Sequence, residues 1–102
     1  MSIGWDALGK VCGEVANEVK RASDTHGSMQ SAHEGYAVIL EEVDELWDEV
    51  KKNANRHPER AALMRREAIQ VAAMAIRFVL DVCDKEEKKT GAPILGPAFY
   101  NE

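Results

Sequence analysis

The residues best suited to chemistry lie in two short acidic segments, Glu41-Glu42-Val43-Asp44-Glu45 and Arg66-Glu67-Ala68-Ile69-Gln70. Each holds two oxygen donors three residues apart: Glu42 with Glu45, and Glu67 with Gln70. On a helix, residues at i and i+3 share a face, with Cβ atoms about 5–6 Å apart. Two such pairs on facing helices would converge several oxygens on one point. A hard divalent cation suits that arrangement: Mg²⁺, with Mn²⁺ as a substitute, takes carboxylate oxygens, keeps some waters and bridges to substrate phosphates. For either pair alone, a solvated acidic face is the competing reading.

Helical phase then asks what must position these groups. Advancing about 100° per residue, Tyr36, Ile39, Leu40, Val43, Leu46, Trp47 and Val50 form one apolar arc. Glu42, Glu45 and Glu49 fall along a flank of that arc, whereas Glu41, Asp44 and Asp48 fall on the far side, toward water. A carboxylate beside buried apolar surface is costly unless it is paired or metal-bound. In the second run, Glu67, Gln70, Met74, Arg77 and Asp81 make a polar stripe on a helix that is otherwise apolar nearly all round. Such a helix is central, so its few polar groups lie indoors or at a subunit boundary and need partners.

The 102 residues make one domain with a modest core, and 45% hydrophobic but only 6% aromatic content fits helices packed through Ala, Val, Leu and Ile. A net charge of −5 disfavours a nucleic-acid-binding module. No stretch is long and apolar enough to span a bilayer and no secretory signal is present, so a cytoplasmic protein is expected, without a membrane partner. Cys12 and Cys83 fall at apolar helix positions and read as reduced core thiols rather than a disulfide.

The expected fold class is all-α: an antiparallel helical bundle over residues 1–90, completed by homo-oligomerisation, with a non-helical, extended C-terminal tail over 91–102. A first helix runs from Ile3 to Ala22, with Trp5, Leu8, Val11, Cys12, Val15 and Val19 inward and Gly9 and Gly13 weakening it. Ser31 and Glu34 form a capping box that opens a second helix, ending near Lys52. Pro58 opens a third, running to Lys88, unless a break between Leu63 and Arg66 divides it. Trp5 and Trp47 are expected in the core. The apolar side of the third helix, through Ile69, Ala72, Ala73, Ile76, Leu80 and Cys83, is expected against a symmetry mate, as a dimer or tetramer.

The two acidic segments, twenty-one residues apart, resemble the Glu-Glu-x-x-Glu … Glu-x-x-Asp signature of the MazG-like all-α nucleoside triphosphate pyrophosphohydrolases. The surrounding strings Glu34-Gly35-Tyr36-Ala37-Val38-Ile39-Leu40 and Val71-Ala72-Ala73-Met74-Ala75 look similar to the small phage and bacterial versions. The match covers roughly residues 32–84. The resemblance implies Mg²⁺-dependent cleavage of a nucleoside triphosphate, ribo or deoxy, to the monophosphate and pyrophosphate. It implies Glu42, Glu45 and Glu67 as metal ligands. Gln70 stands where the family has Asp: its carbonyl can ligate a cation but brings no charge. Glu41 or Glu42 would take the proton of the attacking water.

Cations for the phosphates would come from Arg77, Lys51 or Arg66; for Arg77 an ion pair with Asp81 or a helix-2 carboxylate is the competing reading. His26, His33 and His57 are read as capping or surface residues. The alternative function is a catalytically weakened nucleotide-binding protein, or a helical oligomerisation protein, of the same fold.

Overall fold

The computed structural model describes residues 2–91, and every regular element among them is helical. Helix α1 spans Trp5–His26, α2 Ala32–Val50 and α3 Arg60–Phe78; a π-helical turn, Val79–Cys83, joins α3 without a break to α4, Asp84–Thr90. The expected division at Leu63 to Arg66 is absent. Gly91, in the left-handed region at φ 73°, closes the rod by donating its N–H to the Glu87 carbonyl. The expected tail beyond Gly91 lies outside the described residues. No described helix is long and apolar enough to cross a membrane.

Local chemistry sets the ends. Ser31 Oγ accepts the N–H of Glu34 at 3.1 Å, and the Glu34 carboxylate accepts the N–H of Gln30 at 3.2 Å, one residue before the cap. The box therefore clasps the loop as well as the helix. At the other end of α2, Arg60 Nη2 donates to the Val50 carbonyl at 2.6 Å. That bond ties the start of α3 to an orphan carbonyl, and α3 begins at Arg60, two residues later than Pro58.

Helix α3 is the centre, packing against both α1 and α2. Helix α2 is antiparallel to it, Gly35 lying against Phe78 at one end and Val50 against Arg60 at the other. Helix α1 runs parallel to α3, from the Glu14–Arg65 pair to the contact of Gly27 with Arg77. The α2–α3 seam is tight: a Cβ on Gly35 would lie 2.6 Å from the Phe78 ring. Val15, Ala22, Met29, Ala73, Met74 and Val82 form the buried core.

Several expected core residues are not in it. Trp5 is 85% exposed and Trp47 58%, and Leu8, Val11 and Cys12 are also exposed. The register explains Trp5 and Leu8: with Glu14 beside Arg65, the first turn of α1 runs past Arg60, where α3 begins. Cys83 is partly buried, and both thiols are free. In α2 the phase is rotated from the expected one. Gly35, Val38, Ile39, Glu42, Leu46 and Glu49 are the more buried residues, whereas Tyr36, Leu40, Val43, Trp47 and Val50 are exposed.

Candidate functional site

The rotation of α2 carries Glu42 onto the side facing α3, where it meets Glu67. One carboxylate oxygen from each of Glu42, Glu45 and Glu67 lies within 4.8 Å of the others. Glu42 and Glu67 are partly buried and Glu45 is exposed, so the cluster opens to solvent on one side. Glu49, expected on the same flank, is diverted: Lys52 Nζ binds its carboxylate at 2.7 Å.

Crowding leaves a clear electrostatic mark. Burial, then the charge of Glu45 and a hydrogen bond with it, then Glu67 and Glu41, push the Glu42 carboxyl up to about 7. Burial and Glu45 also raise Glu67, with Arg66 opposing. The Oε2 atom of Glu42 is buried with no hydrogen-bond partner among the described residues. A buried, unpartnered carboxylate oxygen costs free energy, and like-charged neighbours add to the cost. Oxygen-only donors on two helices, one with an unfilled lone pair, fit a hard divalent cation.

Beside the cluster lies a cleft of about 330 Å³, lined by Glu41, Glu42, Gln70, Met74 and Arg77 and by Arg21, His26, Gly27, Ser28 and Met29 from α1 and its following loop. The loop wall is held by α3. Arg77, only 4% exposed, donates from Nη2 to the Gly27 carbonyl and from Nη1 to Met74 Sδ at 3.5 Å. Asp81 accepts the N–H of Met29 at 2.9 Å. No ion pair joins Arg77 to Asp81 or to an α2 carboxylate among the described residues, so its competing reading fails; it is a buried cation beside a cleft.

The sequence-predicted residues thus separate into groups. Glu42, Glu45 and Glu67 come together, and Glu41, Gln70 and Arg77 line the adjoining cleft. Lys51 does not line it and pairs with Asp48 at 3.0 Å. Arg66 lines a second, shallower cleft with Glu14, Glu18, Arg21, Arg65 and Gln70. Glu18 was not singled out: it sits between Arg21, whose Nε donates to it at 2.7 Å, and the Gln70 side chain, and both hold its carboxyl below the ordinary range. Neither Glu18 nor the 26–29 wall carries a spacing signal, because α1 reaches the site only through its packing on α3. No family model, curated protein or solved structure matches the chain.

Proposed function

We propose that this chain is an Mg²⁺-dependent nucleoside triphosphate pyrophosphohydrolase, releasing a nucleoside monophosphate and pyrophosphate. The observation that carries the reading is the Glu42–Glu45–Glu67 cluster, three carboxylates converging beside a cleft while one of them keeps a buried, unpartnered oxygen. The MazG-like spacing of the two acidic segments supplies the reaction class.

Glu42, Glu45 and Glu67 would hold the cation, with Gln70 as a neutral fourth donor. When bound, Mg²⁺ neutralises phosphate oxygens and acidifies a coordinated water. The chain's own groups do the rest. Glu41 lines the cleft next to Glu42, and either of the two would accept the proton of the attacking water. Arg77 and Arg21 give the other part of the cleft its positive charge, which suits phosphate or another acceptor-rich part of the substrate. Met29, Met74 and Val38 add an apolar surface for the less polar part. The same reading has the chain act as a homodimer or tetramer, but not through the α3 side first expected, since Ile69, Ala72 and Ala73 pack in the chain's own core; the exposed apolar stripe of α2 supports the assembly instead.

Pyrophosphate release from a panel of standard and modified nucleoside triphosphates, with and without Mg²⁺, is the direct test. Metal-dependent release from at least one member is expected; none from any would overturn the proposal. Gln70 favours one second reading, a nucleotide-binding protein with weakened turnover, because it brings no charge to the cluster. That reading predicts Mg²⁺- and nucleotide-dependent stabilisation without pyrophosphate release.

A further inference from the structure

Among the described residues Arg77 is the one buried charged side chain, and no carboxylate partners it. A guanidinium carries five N–H donors and no acceptor. Here Nη2 donates to the Gly27 carbonyl and Nη1 to Met74 Sδ, a weak acceptor, while Nε is buried without a partner. Gly27 and Met74 both line the cleft, as Arg77 itself does, so the guanidinium forms part of the cleft wall. A buried cation with donors to spare is costly until an acceptor reaches it.

Two observations say which part of a nucleotide that acceptor belongs to. The first is distance. Arg77 stands ten residues beyond Glu67 on α3, and its bond to Met74 shows the side chain leaning back about one turn. Seven residues still separate Met74 from Glu67, about 10 Å of helix. A phosphate oxygen held by a cation lies only about 2 Å from it, so a phosphate on the Glu42–Glu45–Glu67 centre falls short of Arg77. The second observation is company. The cleft is also walled by Ala22, Met29, Val38 and Met74, and its other guanidinium, Arg21, is gripped at both carboxylate oxygens of Glu18. Several phosphate charges would meet one unpaired cation among apolar side chains, where uncompensated charge is expensive. A neutral planar ring meets the same wall without that cost, with its faces on methionine thioethers and a carbonyl oxygen on the guanidinium.

We propose that Arg77 is a specificity-determining residue in a nucleobase pocket, selecting bases that turn a carbonyl to it, hypoxanthine or guanine, over adenine. The inference rests on the nucleotide reading above. Adenine presents an amino donor where guanine presents an acceptor, and a guanidinium has nothing with which to accept it. The neighbouring Gly27 carbonyl is already taken by Arg77.

Inosine and adenosine, which carry a carbonyl and an amino group at that position, are the probes. Each is titrated into the intact protein without metal and followed by nuclear magnetic resonance at the Arg77 Nε–H and the Met29 and Met74 methyls. Inosine should bind about tenfold or more tighter than adenosine, the scale on which a bidentate arginine contact discriminates between bases, and should move the Arg77 Nε–H resonance. Arg77→Met should bring the two affinities together. Equal binding of both nucleosides by the wild-type protein, binding of neither, or an Arg77 resonance unmoved by inosine would overturn this inference alone. Pyrophosphate moving that resonance as far as inosine does would overturn it too, by making Arg77 a phosphate group. Neither nucleoside carries a phosphate and no metal is present, so these failures leave the carboxylate centre untouched. Absence of Mg²⁺-dependent pyrophosphate release overturns the reaction instead.

Discussion

Two faces of α2 are rotated from the environments that their composition suggests. The face against α3 carries Glu42 and Glu49 among its partly buried residues, while Tyr36, Leu40, Val43, Trp47 and Val50, spaced four and three residues apart, form an uninterrupted apolar stripe in solvent. In an ordinary amphipathic helix the greasier side turns inward. Lys52 answers Glu49 and the core answers Val38 and Ile39, which leaves Glu42 and the outer stripe as the parts of α2 that the folded chain does not explain. Inward carboxylates are tolerable when something positive arrives to join them, and an outward stripe with a seam-like repeat is tolerable when a second surface covers it.

The largest expected effects come from the inner face. Glu45→Gln or Glu67→Gln should abolish stabilisation by Mg²⁺ and any pyrophosphate release while leaving the far-ultraviolet circular dichroism unchanged. Asp44→Asn and Asp48→Asn, on the same helix, should do neither. Thermal melts with and without Mg²⁺ distinguish them; equal responses from the two sets would erase the contrast between the faces.

The outer face is tested by sedimentation equilibrium. The wild-type chain should sediment at a multiple of 11.3 kDa, and Leu40→Glu combined with Trp47→Glu should reduce it to the monomer. A wild-type monomer at micromolar concentration would leave the stripe without a partner and the proposed assembly without support.

A smaller effect probes the seam that fixes the rotation of α2. Gly35→Ala would press a methyl group into the Phe78 ring, an overpacking expected to cost about 1–3 kcal/mol. Gly13→Ala, with nothing within 4 Å of its new Cβ, should instead stabilise by up to about 1 kcal/mol through helix propensity. Chemical denaturation of both variants reads the difference. A neutral Gly35→Ala would mean that the two helices are not pressed together there.

The smallest effect is a pH dependence. Because the folded state raises Glu42 from an ordinary 4.5 to about 7, it binds more protons than the unfolded state across that interval. Stability of the metal-free protein should therefore fall as pH rises through the window; solvent screening of these partly exposed carboxylates holds the change to the order of a few °C in Tm. Glu67 acts in the same direction, whereas Glu14 and Glu18, held low by their arginines, act only in more acid solution. Mg²⁺ should stabilise more as pH rises, since ligation requires the ionised carboxylates. A Tm that climbs between about pH 4.5 and 7 without metal would contradict the crowding.

Much of this was legible in the sequence for reasons that remain visible in the structure. The Ser31 cap and the Thr90–Gly91 stop act through a few neighbouring atoms, so sequence finds them. The Glu42–Glu45 and Glu67 convergence was readable because helical spacing fixes which groups share a face. What the spacing left open was rotation: the arc of α2 was wide enough to dock by either half, and the half that docks is the one bearing Gly35, where the Phe78 ring approaches closely. The same lack of long-range information put Trp5 indoors, since periodicity shows that a stripe is apolar but not how far its neighbour extends. The π-helical turn at Val79–Cys83 has no signature in its residues for which we have a physical account.

The bonds that hold the loop after α1 bear on the order of folding. Gly27 with Arg77 and Met29 with Asp81 join residues separated by 50 and 52 positions, at the open end of the α2–α3 hairpin, where Gly35 lies against Phe78. Such distant closures carry a loop-entropy cost that must be met before they contribute. The cleft wall therefore sets only after α2 and α3 have paired along their length. The Met29 amide becomes a natural reporter of that last event: its hydrogen exchange should slow with global folding, later than the amides within any single helix.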